Sequence, residues 1–374
     1  MNRILVPIKI ARNRTEYDIV IGSDILASSG AWAADALGRN GCRILIVSNR
    51  KVFGLYGEKV RRSLEAAGFE IHTHLIGDGE RFKSFRTLET TLHTLSEKGF
   101  TRTDAVVALG GGVVGDLGGF AASIHLRGID FLQIPTTLLA MIDSSVGGKT
   151  GINTTFGKNL VGSFYQPKGV LVDVEVLRTL DRREMTAGLC EAIKQAAVSG
   201  PALWRQTAAF LERRDPGAGL TRLIAAQVAF KAKIVRGDEA ESVTNESATS
   251  RKILNFGHTF GHALEKATDY SYLKHGEAVG YGMVFAAELS KKLELLDKDE
   301  VNSLNDVVRR AGNLPPIQNV DQERVLESLT HDKKRVGNSL RWVLLRGIGK
   351  PIIVPDTEMP RSAVSSTLKA IFRK

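Results

Sequence analysis

Three of the eight histidines fall in one stretch, Asn255 to Val279, which reads NFGHTFGHALEKATDYSYLKHGEAV. His258 and His262 stand four apart in a run free of proline, so a helix there would send both imidazoles out of one face, a turn apart. His275 follows a short aromatic loop and opens a second helix. With Glu265 and Glu277 close by, these imidazoles could supply the nitrogen and oxygen ligands of a catalytic zinc. Histidines at helical spacing also serve as interior or capping groups, and this stretch alone leaves both readings open.

A second stretch with chemical content is AVVALGGGVVGDLGGF. Gly110, Gly112 and Gly115 satisfy G-x-G-x-x-G between a strand-like run and a helical pattern. In that context the glycines let the backbone approach a pyrophosphate and the helix start offers unpaired N–H groups, which predicts a dinucleotide site. The acid expected ~20 residues on is Asp130 by count, but Asp78 and Glu80 in GDGERFK end an earlier strand and are the preferred partners of the ribose hydroxyls.

The elements that must position these residues change character along the chain. At 374 residues, two domains are expected. RILIVS, AVVALG, FLQIPTTLL and GVLVDVEVL read as buried strands of a parallel sheet and EIHTHLIG as a further strand-like run, and helical periodicity over Gly57 to Gly68 and Phe85 to Leu95 separates the earlier ones. From Arg182 onward the pattern is nearly all helical, interrupted by RWVLLRGIG and PIIVP. The expected fold is therefore an α/β Rossmann-like domain over residues 1–180 and a helical domain over 181–374.

Composition excludes several classes. The 51 Lys and Arg are scattered among 41 acids, giving a net charge of +10 without a basic block; with no aromatic motif for stacking bases, most of the excess reads as a solvated basic surface and particular residues as a small-anion pocket, rather than as a nucleic-acid site. No segment is long and apolar enough to span a bilayer. The opening stretch MNRILVPIKIARNRTEYDIVIG alternates apolar and polar residues, unlike a signal peptide. Cys42 and Cys190 have no metal-like spacing, so reduced thiols and a cytoplasmic location are expected.

GDGERFKS, LGGGVVGDLGGF, LRGIDFLQIPTTLLAMIDSSVGGKTGIN, GKNLVGSFYQP, GLCEAIK, LNFGHTFGHALE, HGEAV and HDKK occur in this order. Together they resemble the signature of the 3-dehydroquinate synthase family of sugar-phosphate cyclases. The resemblance implies a Rossmann-like domain plus an all-α C-terminal domain, a homodimer, NAD, and a divalent metal, zinc or cobalt. It also implies 3-deoxy-D-arabino-heptulosonate 7-phosphate as substrate, with a ring alcohol oxidised, phosphate eliminated, the ketone reduced again, and an aldol closure; NAD is recycled.

Carried over by motif, the implied metal ligands are Glu191, His258 and His275, leaving His262 as a general acid/base. Lys194 and Asp143 are placed at the reacting alcohol. Lys149, Lys158 and Asn159, in glycine-containing loops, are placed at phosphate, and Arg127 completes that site from a neighbouring subunit. Arg251, Asn255 and Lys231 are placed at the substrate, Arg251 on its carboxylate, with Lys333 or Lys334 nearby. Arg251 and Asn255 precede His258 by seven and three residues, so on a continuous helix all three would face one cavity. For NAD the matching positions are Asn49, Asp78, Glu80 and Lys83 toward the adenosine, Gly112, Val113, Val114, Gly115 and Asp116 at the pyrophosphate, Thr136 and Thr137, and Thr179; Lys149 and Lys158 also count among the cofactor contacts.

Two features depart from the family pattern. Arg50 stands where an acid is common, and DEAESVTNESATSR carries a longer link before Arg251, read as an exposed loop insertion over residues 239–250. The rival readings are a different cyclase, valiolone-type or deoxy-inosose-type, and a metal-dependent alcohol dehydrogenase.

Overall fold

The computed structural model describes residues 16–213, 219–239, 241, 242, 245, 247, 250–331 and 341–373. Strand β1 (Asp18–Gly22) leads through α1 (Ser29–Leu37) to β2 (Arg43–Asn49), the single turn α2 (Arg50–Val52), α3 (Glu58–Ala66), β3 (Glu70–Ile76), α4 (Phe85–Glu97), β4 (Ala105–Gly110), α5 (Gly112–Ile124) and β5 (Asp130–Pro135). A hairpin of β6 (Lys149–Thr154) and β7 (Gly157–Phe164) precedes β8 (Gly169–Asp173). Strands β1 to β5 and β8 form one sheet in the order β1-β8-β5-β4-β2-β3, every pair parallel.

Both faces of the central strands are covered, as the unbroken apolar runs require. Ile44 and Ile46 of β2 enter one core while Leu45 and Val47 enter the other. Helix α5 lies close on the sheet because Gly115, Gly118 and Gly119 stand at its closest approaches to β4 and β5. A Cβ at Gly115 would come within 2.8 Å of Gln133 Oε1, and one at Gly119 within 2.7 Å of the Phe131 ring.

The second half is built from α6 (Arg182–Ser199), α7 (Pro201–Glu212), α8 (Leu220–Gly237), α9 (His258–Ala267), α10 (His275–Lys292), α11 (Lys298–Ala311) and α12 (Gln322–His331), then the antiparallel ribbon β9 (Arg341–Leu345) and β10 (Pro351–Pro355), and α13 (Arg361–Arg373). Asp181 caps α6, its carboxylate accepting from the Arg183 amide at 2.9 Å. Phe260 of α9 stacks on Phe285 of α10 at 4.3 Å, and Phe285 on Trp342 of β9 at 6.0 Å, which ties the ribbon to the histidine-bearing helices.

The Rossmann-like sheet and the helical second half agree with the expected fold class. The change of element type falls where α6 begins, and we propose residues 1–180 and 181–374 as the two domains. Their apolar interior is nevertheless shared. One buried cluster contains Ile44 and Val107 of the sheet, Leu138 and Met141 behind it, and Ile193, Phe260 and Phe285 of the helices. A Cβ added at Gly188 of α6 would lie 2.6 Å from Leu138 Cβ. Among the described residues no helix is long and apolar enough to cross a membrane.

Two expectations are corrected. Lys149, Lys158 and Asn159 are on the strands of the β6–β7 hairpin, not in loops. Arg251 and Asn255 belong to a separate 3-10 turn (Arg251–Asn255), so no continuous helix joins them to His258. Gly257 breaks the chain between them at φ 80, a conformation natural to glycine, where a Cβ would meet the Met283 amide nitrogen at 2.8 Å.

Candidate active site

In the sheet the strand order reverses between β4 and β2, and the crevice outside the carboxyl ends of those strands is where this architecture accepts ligands. Asn49 ends β2, Asp78 follows β3, and Gly112, Val113, Val114 and Asp116 open α5 beside them; all line one cleft with Glu80, Lys83, Thr136, Thr137 and Thr179. The Asn49 amide donates to Asp78 Oδ1 at 3.0 Å, fixing that carboxylate at the rim. Glu80 is held by the Asn153 amide of β6 at 2.8 Å. Lys83 is buried and bonds both Asp116 and Asn159, so it ties α5 to the hairpin. Burial pushes the Asp116 carboxyl up, with Lys83 opposing. Thr179 pairs with the Tyr56 hydroxyl. Gly115 is turned away from the cleft toward Gln133. Asp130 starts β5, at the opposite end of the strands, and pairs with Arg39 and Lys168, which removes it as a ribose partner.

The opposite wall comes from the helices. His258 and His262, one turn apart on α9, bring their rings to 5.3 Å between centroids, and His275 at the start of α10 lies 5.2 Å from His258 and 5.8 Å from His262. Ligand atoms of the three lie within 4.8 Å of one another. Glu191 of α6 joins them from behind, fully buried, with Oε1 at 3.6 Å from His275 Nε2 and 3.9 Å from His258 Nε2.

Nδ1 of His258 and Nδ1 of His275 are already engaged. The His258 Nδ1–H points to the Phe256 carbonyl at 3.3 Å and that of His275 to Glu265 Oε2 at 3.1 Å. Both Nε2 atoms are thereby turned toward Glu191 with their lone pairs available. Glu191 Oε1 is buried without a hydrogen-bond partner among the described residues. Two imidazole lone pairs converging on an orphaned carboxylate oxygen fit a divalent cation, and a neutral donor pair is what it needs. Burial, reinforced by Lys194, holds His258 well below the ordinary imidazole value. Burial also lowers His275, but the hydrogen bond to Glu265 outweighs it and the net shift is upward. Glu265 is lowered to about 2: burial acts against ionisation, but His275 and Lys158 prevail.

Next to this cluster is a compact charge group. Lys194, a turn beyond Glu191 on α6, has Nζ at 2.5 Å from Glu191 Oε2 and 4.0 Å from Asp143 Oδ1. Lys231 of α8 donates to Asp143 Oδ1 at 2.6 Å and to its carbonyl at 2.5 Å. Burial opposes ionisation of Asp143, but the two ammoniums hold it well below the usual carboxylate range. Burial brings Lys231 down to about 8, against the pull of Asp143. Arg251 is buried and donates to the Gly147 carbonyl at 3.0 Å and the Glu239 carbonyl at 2.8 Å, placing a guanidinium beside the hairpin.

Lys149, Lys158, Asn159, Lys194, Lys231, Arg251, Asn255, His262 and His275 thus all border the cleft with the cofactor-side residues. Arg127 does not: it is exposed at φ 68, outside this chain's own cleft. Lys333 and Lys334 lie outside the described residues. The exposed-loop reading of 239–250 is only partly right for the residues described. Asp238, just before it, is buried and accepts from the amides of Ser242 at 2.7 Å and Arg251 at 2.9 Å, and Glu241 reaches the cleft and pairs with Lys149. Sequence reasoning missed Glu241, because nothing in a run of Ser, Thr, Asn and Glu marks one acid as turned inward.

A parallel sheet with a glycine turn at its switch point, facing a helical layer that carries a Glu–His cluster, defines the class of two-layer enzymes with a dehydroquinate synthase-like fold. Residues 73–187 match the family model described as 3-dehydroquinate synthase N-terminal, and residues 188–335 the one described as 3-dehydroquinate synthase C-terminal. The 3-dehydroquinate synthase of Streptococcus pneumoniae is 41% identical over 346 residues, 91% of this chain and 94% of that one. The 2-epi-5-epi-valiolone synthase of Streptomyces hygroscopicus subsp. jinggangensis 5008, solved with NAD+ and Zn2+ bound, superposes with a TM-score of 0.85 at 30% identity, covering 98% of this chain and 99% of that one. A 2-deoxy-scyllo-inosose synthase complexed with carbaglucose-6-phosphate, NAD+ and Co2+ gives 0.79 at 25% identity over 94% and 96%. The chain belongs to the 3-dehydroquinate synthase family.

Proposed function

We propose that the protein is a 3-dehydroquinate synthase, converting 3-deoxy-D-arabino-heptulosonate 7-phosphate to 3-dehydroquinate and phosphate with NAD and a divalent metal, zinc or cobalt. The observation that carries this reading is the set of cations bordering one cleft: Arg251 and Lys149 at the Gly147 end of the β6–β7 hairpin, with Lys231 on α8, and Lys158 with the Asn159 amide at the hairpin's turn. A substrate with a carboxylate and a phosphate complements these cations at two points, whereas an uncarboxylated heptose phosphate offers Arg251 no charge-assisted partner in addition to the Gly147 and Glu239 carbonyls.

When bound, NAD supplies reversible hydride acceptance and the divalent cation polarises the alcohol that is oxidised. Asn49, Asp78, Glu80, Lys83, Gly112, Val113, Val114, Asp116, Thr136, Thr137 and Thr179 hold the dinucleotide against the α/β domain. Gly115 serves it indirectly, by letting α5 sit on the sheet. Glu191, His258 and His275 hold the metal, and His262 moves protons beside it. Asp143, Lys194 and Lys231 form a preorganised electrostatic frame for charge that develops at the alcohol. Arg251 and Asn255 bind the substrate, with Lys333 or Lys334 joining them. In a homodimer, Arg127 reaches the partner's phosphate site; a cytoplasmic location follows from the reduced cysteines and the metabolic substrate.

Assay of the purified protein with the heptulosonate phosphate tests the reading. It is expected to give 3-dehydroquinate and phosphate in equal amounts, with many turnovers per NAD and no NADH accumulation. Stoichiometric NADH release would support the dehydrogenase rival, and preference for an uncarboxylated heptose phosphate would support the other cyclases.

Lys231 adds a pH dependence with a definite sign. Its ammonium in the free enzyme is lost as pH rises through about 8, and only the protonated form attracts an anionic substrate. The value of kcat/KM should therefore fall tenfold per pH unit above that point, and Lys231→Arg should abolish this alkaline limb even if it lowers the plateau.

A further inference from the structure

Glu265 is two turns after His258 on α9 and almost fully buried. A carboxylate in that position is costly unless both oxygens are answered. Each is, and from a different layer of the molecule. Oε2 accepts from Nδ1 of His275 on α10 at 3.1 Å, and Oε1 accepts from Nζ of Lys158 on β7 at 2.8 Å. The Lys158 ammonium is fixed from another side by the ring of Tyr270, 4.4 Å from its centroid.

We propose that Glu265 is a positioning residue that joins the cofactor-side hairpin to the metal site, holding His275 in the tautomer and orientation that present Nε2 to the metal. This inference rests on the ligand set given above. The two imidazoles are supported differently, since Nδ1 of His258 meets a backbone carbonyl 3.3 Å away while that of His275 meets a full negative charge. Loss of Glu265 therefore releases one ligand and leaves the other in place. Lys158 has a part in the same device: without it the carboxylate loses the contact that aims its second oxygen, and the hold on His275 slackens.

The test measures zinc affinity of the full-length protein by competition with a chromophoric chelator, with no substrate present, so that turnover is not the readout. Glu265→Gln should raise the zinc dissociation constant by about 10–100-fold, the usual effect of losing a carboxylate behind a ligating histidine. The visible spectrum of the cobalt-loaded variant should change as well. Lys158→Met should weaken zinc by less, and the double variant should be no weaker than Glu265→Gln alone, because both act through one carboxylate. Wild-type zinc affinity in Glu265→Gln, or full additivity of the two substitutions, would overturn the inference. If the Gln variant does not fold, Glu265→Asp replaces it: the shorter acid cannot span both partners, so weakened zinc supports the proposal and unchanged zinc refutes it. Failure of the wild-type protein to bind zinc at all would instead strike at the ligand set.

Discussion

Glu191→Ala is expected to purify without metal and to release no measurable phosphate from the heptulosonate phosphate, while its circular dichroism remains that of the parent. Three protein ligands leave one position of a tetrahedral metal for substrate. Removal of the fully buried carboxylate takes away the one anion of the proposed ligand set and leaves Lys194 without its closest counterion, whose Oε2 stands 2.5 Å from Nζ. His258→Ala and His275→Ala should follow it in metal content, since each removes an Nε2 aimed at the same point. His262→Ala should separate from all three: metal is retained and turnover falls by roughly 100-fold, the loss expected for a general acid/base. Metal analysis beside phosphate release distinguishes the outcomes. Full metal content in Glu191→Ala, or metal loss in His262→Ala, would exchange the roles of the two residues.

The second large effect is expected at Asp143. Its carboxylate is 2.6 Å from Lys231 Nζ and 4.0 Å from Lys194 Nζ, and both ammoniums are buried. Truncation to Ala leaves two like charges in a poorly solvated site with Glu191 as the remaining local anion. Breaking a buried ion pair from one side costs about 3–5 kcal/mol, so the thermal midpoint should fall visibly. Asp143→Asn keeps the shape and isolates the charge. It should fold, lose roughly 1,000-fold in kcat/KM if the frame acts on developing charge, and shift the alkaline limb of the pH profile downward, because Lys231 loses the one influence that raises it most. A pH profile unchanged in Asp143→Asn would show that Lys231 is not the group titrating.

The residues explain which parts of this site could be read from the sequence. The central strands of the parallel sheet are buried on both faces, so β2, β4 and β8 appear as apolar runs, and the four-residue spacing of His258 and His262 survives folding because α9 is a regular helix. The β6–β7 hairpin was hidden for the opposite reason. It is half exposed, rich in glycine and threonine, and broken by a register shift between Ile152 and Thr154, so it has neither an apolar run nor strict alternation. Arg251 and Asn255 reach the cleft as expected, but by a 3-10 turn and a glycine break that a spacing argument cannot anticipate. The links that set the site's electrostatics, Lys231 to Asp143 and Glu265 to Lys158, join residues 88 and 107 positions apart. No local pattern encodes such pairs; they arise from the packing of α8 and α9 against elements of the first half.

The apolar interior that runs without interruption from the sheet into the helices bears on how this molecule can change over generations. The two family models meet between residues 187 and 188, inside α6 and beside the glycine that admits Leu138. A chimaera joined there would graft one lineage's helix face onto another lineage's sheet, and a single extra methyl at Gly188 has no room. The halves are thus poor modules for recombination. Innovation in substrate has an easier route through residues that border the cleft without entering the common interior, which are free to drift while the two layers co-evolve as one inheritance.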